Sequence, residues 1–249
     1  LQDLSRLGGL WYTVGRMALT DYEKYIRTEE LLALQKPVGD RTCRDELLFQ
    51  VVHQAAELWM KLIADDLDRV VAAMNSDKPW AAMALLRRIG RVLRLITAQL
   101  DILDSLSPKN YMTIRTGLGR GSGQESPGFK TLLRLPGEIV WPAAAAMLER
   151  SGVSLRGIYE HPDENDAMFR LLEGLVDYDQ LLQSWRYRHL MLVYRMIGIG
   201  TPSLKGKPSD LLAEGMKKRF FPELWSVRDE VFSDWTAEMK KSGRDDPYH

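Results

Sequence analysis

Apolar residues recur every three or four positions along most of this chain, and strand-type alternation is weak throughout. The clearest stretch runs from Asp45 to Met74, where Leu48, Val51, Val52, Ala55, Leu58, Trp59, Leu62 and Ile63 fall on one helical face. Asp45 is placed to cap its start. A second face of the same helix carries Phe49, Ala56 and Met60 around His53, a mixed surface suited to lining a cavity. The next helix is predicted from Pro79 to Leu106, burying Leu85, Leu86, Ile89, Val92, Leu93, Ile96, Leu100 and Leu103, and Ser105 to Pro108 ends it. Asn110 to Phe129 is rich in glycine and reads as a long ordered loop after a short helical start. Helical periodicity resumes over Glu138–Ser151 and Asn165–Ile197. Gly198–Pro208 reads as a second Gly/Pro loop, Ser209–Phe232 as one or two closing helices, and Gly243–His249 as a frayed tail. The pattern predicts an all-α, single-domain antiparallel helical bundle over residues 21–249. Residues 1–20 stand outside its core, as an extension placed for contacts between subunits.

Composition narrows the classes of partner. Hydrophobic residues make up 45% of the 249, enough for a sizeable core, and the formal net charge is +0. That balance gives no reason to expect nucleic acid or an anionic membrane. The clustered charges of Lys217-Lys218-Arg219 read as a solvated helix end. No apolar run approaches the ~20 residues that span a bilayer. Cys43 is the one cysteine, so no internal disulfide forms and a reducing, cytoplasmic setting is expected.

Chemistry must come from few residues. Leu182, Trp185, His189, Leu192 and Met196 step along one helical face, which puts an imidazole inside an apolar stripe. A buried neutral histidine needs partners for its ring nitrogens, and a haem iron is one such partner. The arginines of Trp185-Arg186-Tyr187-Arg188 lie close enough to meet haem propionates. Taken alone, His53 and His189 each read first as satisfied structural histidines. Tyr111 and Arg115, four residues apart, face the same way on a helical turn, and Arg115 suits a carboxylate clamp. A surface arginine is the simpler reading of Arg115 in isolation. His161 sits in a polar turn and His249 at the terminus, and no zinc or calcium spacing occurs. The stretch Gly117-Leu118-Gly119-Arg120-Gly121-Ser122-Gly123 lacks the strand and the Gly-Lys-Ser/Thr ending of a phosphate cradle. No Gly-x-Ser-x-Gly elbow supports a hydrolase.

Read together, these segments resemble the tryptophan 2,3-dioxygenase superfamily. The most specific match is Asp45-Glu46-Leu47-Leu48-Phe49-Gln50-Val51-Val52-His53-Gln54, continued by Glu57-Leu58-Trp59-Met60-Lys61. Tyr22, Tyr25 and Ile26 with Leu31-Leu32-x-Leu34-Gln35-x-Pro37, Tyr111-Met112-x-x-Arg115, Trp185-Arg186-Tyr187-Arg188-His189 and Phe220-Phe221-Pro222-Glu223-Leu224 follow in family order. The resemblance implies a b-type haem enclosed by the bundle, with His189 as its iron ligand. Trp185, Arg188, Leu100, Ser122 and Gly123 would lie around the haem. His53 would accept a hydrogen bond from the indole N–H, Phe49 would wall the indole pocket, and Arg115 with Tyr111 would hold the amino-acid carboxylate. Tyr22, Tyr25 and Ile26 would complete a neighbouring subunit's pocket in a homotetramer. Thr201 would meet the substrate ammonium.

The implied reaction is oxidation of the indole C2=C3 bond of L-tryptophan or a β-substituted tryptophan. If both atoms of O2 enter, the product is N-formylkynurenine. If one enters, a 2-oxindole forms, and a reductant or peroxide balances the electrons. The family's small-residue loop here reads Gly200-Thr201-Pro202-Ser203-Leu204-Lys205-Gly206, and this departure turns the expectation towards the oxindole, as in some natural-product members of the superfamily. A non-catalytic haem-binding sensor and a plain helical bundle are the readings from other classes, and the carboxylate clamp argues against both.

Overall fold

Three long helices set the frame. The computed structural model describes residues 18–119, 121, 123–199 and 215–241. Helix α1 (Asp21–Ile26) opens on a capping box between Thr20 and Glu23. Arg27, in the left-handed region, turns the chain into α2 (Thr28–Leu32). Then come α3 (Glu46–Asn75), α4 (Pro79–Leu103), α5 (Pro108–Gly117), α6 (Pro127–Leu135), α7 (Trp141–Ser151), α8 (Leu155–Glu160), α9 (Asp166–Ile197) and α10 (Pro222–Lys241). The described residues form an all-α, single-domain bundle. No helix among them is long and apolar enough to cross a membrane.

The short Ser76–Lys78 link folds α4 back antiparallel on α3, and α4 packs against both α3 and α9. Contacts between α4 and α9 climb together: Gly174 lies on Leu86, Gly90 on Leu181, and Arg188 pairs with Asp101 and Asp104. Helix α9 therefore runs parallel to α4. The small elements α5–α8 carry the chain back to the end where α4 began. The glycines let these two helices touch closely. A Cβ on Gly174 would stand 3.1 Å from the Leu86 side chain.

Periodicity located the long helices to within a few residues but misjudged the face of α3. Val51 and Leu58, expected in the core, are 46% and 54% exposed. The buried stripe is Val52, Met60, Ile63, Leu67, Val70 and Met74. A helix apolar on two faces meets the core along whichever stripe its neighbours cover, and the sequence alone does not choose. Asp45 does not cap α3 through its side chain, which instead accepts a hydrogen bond from Asn110 at 2.7 Å. The expected long loop over Asn110–Phe129 is mostly helix. Ser107 caps α5 and Ser126 caps α6, each with proline at the first turn. Helix α6 passes through a wider π turn at Pro136–Val140 into α7. Pro136 and Pro142 lack the N–H groups that regular helical bonding needs. Helix α10 runs past Phe232 to Lys241. The expectations for residues 1–17, for 200–214 and for the tail beyond 241 lie outside the described residues.

Two buried carboxylates tie outlying segments to the frame. Glu46 accepts from Lys36 Nζ at 2.6 Å and from the Thr42 backbone at 2.6 Å, which fastens the segment before α3. Asp179, fully buried on α9, accepts from the Phe220 amide and from Trp225 Nε1, both at 3.0 Å. Asp179→Ala strips the acceptor from two donors, one on the buried Phe220 and one on the half-buried Trp225. It is expected to cost ~2–4 kcal/mol in urea unfolding. A loss below ~1 kcal/mol would show that water replaces the carboxylate.

Candidate active site

Helices α3 and α9 bring His53 and His189 to the walls of one cavity of about 210 Å³. Phe49, Leu100, Tyr111, Arg115, Gly123 and Trp185 line the same cavity. The other predicted residues that the structure describes lie elsewhere. Arg188 donates to Asp101 at 2.8 Å and also to Asp104, so its guanidinium braces α9 against the end of α4. Tyr22 and Tyr25 are 70% and 88% exposed on α1, and Ile26 is exposed beside them. Ser122 and Thr201 lie outside the described residues.

The His53 ring packs on Phe49 with centroids 4.0 Å apart, although the residue as a whole is exposed in the single protomer. Its Nδ1 lies 2.7 Å from the Phe49 carbonyl oxygen. A carbonyl only accepts, so Nδ1 carries the proton and Nε2 of the neutral ring is left as an acceptor. Burial pushes the His53 pKa down, against an upward pull from the Phe49 carbonyl and the Glu57 carboxylate.

His189 stacks on Trp185 one turn before it, with centroids 5.3 Å apart and planes within 13°. Burial, and next the nearby His53, push its pKa down to about 4. The ring is neutral at physiological pH and keeps a lone pair for a ligand. Tyr111 is held as a neutral phenol because burial raises its pKa, and Arg115 opposes that shift.

Sequence reasoning passed over three polar residues of this cavity. Gln99, next to Leu100, has a buried side-chain oxygen with no hydrogen-bond partner. Glu57, one turn after His53, and Ser126, the cap of α6, also line the wall. Glu57 stood in the most specific motif, and its spacing from His53 was the available signal.

The lining suits a haem in its chemistry. A neutral imidazole faces an apolar space, and beside it the Trp185 Nε1, buried without a partner, needs an acceptor such as a propionate. The volume is tighter. Sites that bury a sizeable ligand usually measure ~300–1,000 Å³, so the walls must spread to admit a macrocycle.

Fold and cavity together define an all-helical protein with an apolar pocket lined by two histidines. Comparison with known sequences takes this further. The family model described as tryptophan 2,3-dioxygenase matches residues 13–138. A tryptophan 2,3-dioxygenase of Caulobacter vibrioides is 30% identical, over 84% of this chain and 98% of that protein. One from Bacillus thuringiensis subsp. konkukian is 31% identical, over 84% and 92%. One from Xanthomonas campestris pv. campestris is 28% identical, over 86% and 88%. The chain belongs to the tryptophan 2,3-dioxygenase family.

Gly123 offers a direct probe of the cavity, because a Cβ built there would stand 3.9 Å from His189 Nε2. Gly123→Ala should fit. Gly123→Leu should fill the space before the ring and weaken haem uptake roughly tenfold, in line with the ~1–3 kcal/mol typical of overpacking. Haem titration followed at the Soret band reads the effect, with circular dichroism unchanged. Equal uptake by the leucine variant would place the haem elsewhere.

Proposed function

We propose that this chain is a haem-dependent tryptophan oxygenase that adds both atoms of O2 across the indole C2=C3 bond of L-tryptophan, giving N-formylkynurenine. The observation that carries this reading is one cavity walled by two neutral imidazoles, an aromatic ring and an arginine. Haem b, when bound, supplies the iron that activates O2 for attack on the electron-rich indole.

The chain's own residues bind and orient. His189 is the residue to ligate the iron, with Trp185 fixing its ring by stacking. His53 Nε2 accepts the indole N–H, a role that the Phe49 carbonyl enforces by occupying Nδ1. Phe49 packs against the indole. Arg115 binds the carboxylate as a bidentate partner, and the neutral Tyr111 beside it adds a donor. Leu100 and the apolar residues of α9 keep water out. No strong base is required, since orientation within a dry pocket supplies the advantage. In this reading Ser122 and Thr201 serve the haem and the substrate ammonium. The exposed Tyr22, Tyr25 and Ile26 complete the pocket of a neighbouring subunit in a homotetramer.

The expectation of a 2-oxindole rested on Gly200–Gly206, which lies outside the described residues. The relatives carry the dioxygenase name, and dioxygenation is the better supported outcome. Turnover of L-tryptophan under labelled O2 decides between them by mass. Two labelled oxygens in the product support the proposal, and one overturns it in favour of the oxindole.

Two substitutions test the assigned roles. His189→Ala should abolish stable haem binding, and a normal haem spectrum would refute the assignment of the ligand. Arg115→Leu should weaken tryptophan binding by ~2–4 kcal/mol, because a buried carboxylate loses its charged partner. An unchanged affinity measured by spectral titration would remove Arg115 from the substrate site.

A further inference from the structure

The Glu57 carboxylate makes contacts that its position in the helix does not require. One oxygen accepts from Ser126 Oγ, and the other accepts from the Gly128 amide at 3.0 Å. Ser126 Oγ also accepts from the Phe129 amide at 3.0 Å, capping α6. The Gly128 amide is among the donors that a helix start leaves without an internal partner, and a carboxylate there also meets the positive end of the helix dipole. Gly128 has no room for a side chain, since a Cβ would stand 2.7 Å from both the Glu57 carboxylate and Met60 Cβ. The Ser126 amide in turn donates to the Gly123 carbonyl at 3.2 Å. Gly123 is the residue that passes His189 Nε2. One chain of bonds thus leads from Glu57, a turn beyond His53, through Ser126 to the backbone in front of His189.

We propose that Glu57 is a positioning residue whose carboxylate ties the Gly123–Ser126 strap to the helix that carries His53, and so fixes the spacing of the two imidazoles across the cavity. The proposal rests on the oxygenase reading for the roles of those imidazoles, but the tie itself does not. Glu57 touches neither Arg115 nor Phe49 in any contact that the structure gives. Its loss should therefore disturb the reaction geometry more than the hold on the substrate carboxylate.

The test uses the full-length chain and the variants Glu57→Ala, Glu57→Gln and Ser126→Ala. In the haem-free protein, Glu57→Ala should speed amide exchange at Gly128 and Phe129 by about tenfold, the scale of one charge-assisted hydrogen bond, while amides in α4 keep their wild-type rates. Ser126→Ala should speed exchange at Phe129, and Glu57→Gln, which keeps one acceptor, should fall between wild type and Glu57→Ala. In the haem-loaded enzyme, Glu57→Ala should lower kcat for tryptophan about tenfold with KM within about threefold of wild type, and Glu57→Gln should recover part of the loss. Exchange at Gly128 and Phe129 within about twofold of wild type in every variant would overturn the proposal, as would a rise in KM with kcat unchanged. If Glu57→Ala also exposes α4, the fold itself has failed, and Ser126→Ala and Glu57→Gln decide. A wild-type enzyme without tryptophan turnover would refute the oxygenase reading, and the exchange measurement would still decide the tie.

Discussion

Two imidazoles line one largely apolar space, and burial works against a proton on either ring. His189 feels this most, since burial and the neighbouring ring push its pKa in the same direction. Both rings are therefore neutral, each with one nitrogen free to accept or to ligate. The rest of the local structure serves that condition. Trp185 covers one face of His189, and Phe49 covers His53 while its carbonyl accepts a hydrogen bond from Nδ1–H. Two charged side chains near the cavity are engaged with partners. Arg188 is held by Asp101 and Asp104, and Glu57 is turned towards Ser126 and Gly128.

The frame that holds the rings apart is built from paired helices and a few buried polar ties. Helix α4 is the shared partner, with α3 folded back on it and α9 lying along it. Tyr178 donates to the Leu132 carbonyl at 3.0 Å and fastens α9 to α6. Asp179, the next residue, fastens the start of α10 to the same helix. Helix α9 therefore carries His189 on one stretch and anchors two outlying elements on another.

Much of this was legible in the chain, for a physical reason. Long amphipathic helices repeat their signal over many turns, so α3, α4 and α9 were readable almost to their ends. The stripe containing Trp185 and His189 was readable too, because an imidazole among apolar residues is costly and conspicuous. Shorter elements repeat too little. Helices α5 and α6 owe their starts to Ser107 and Ser126 with the prolines that follow, and the abundance of glycine around them hid that signal. The choice of face on α3 was not legible, since Val51 and Leu58 are as apolar as the residues that reach the core. Nor was the placement of Arg188, which depends on two carboxylates more than eighty residues away in sequence.

The parallel course of α4 and α9 has an electrical consequence. Side-by-side helices pointing the same way stack their partial negative poles at one end, an arrangement that repels itself. Asp101 and Asp104 sit at that end of α4 and add to the burden. Arg188 and Arg195, on the last turns of α9, bring cations to the same place. That end of the helix pair is thus held partly by contact ion pairs, of which the arm to the exposed Asp101 is the most open to screening by dissolved ions. Concentrated salt should loosen the Asp101 arm of that clamp before it touches the oily interior.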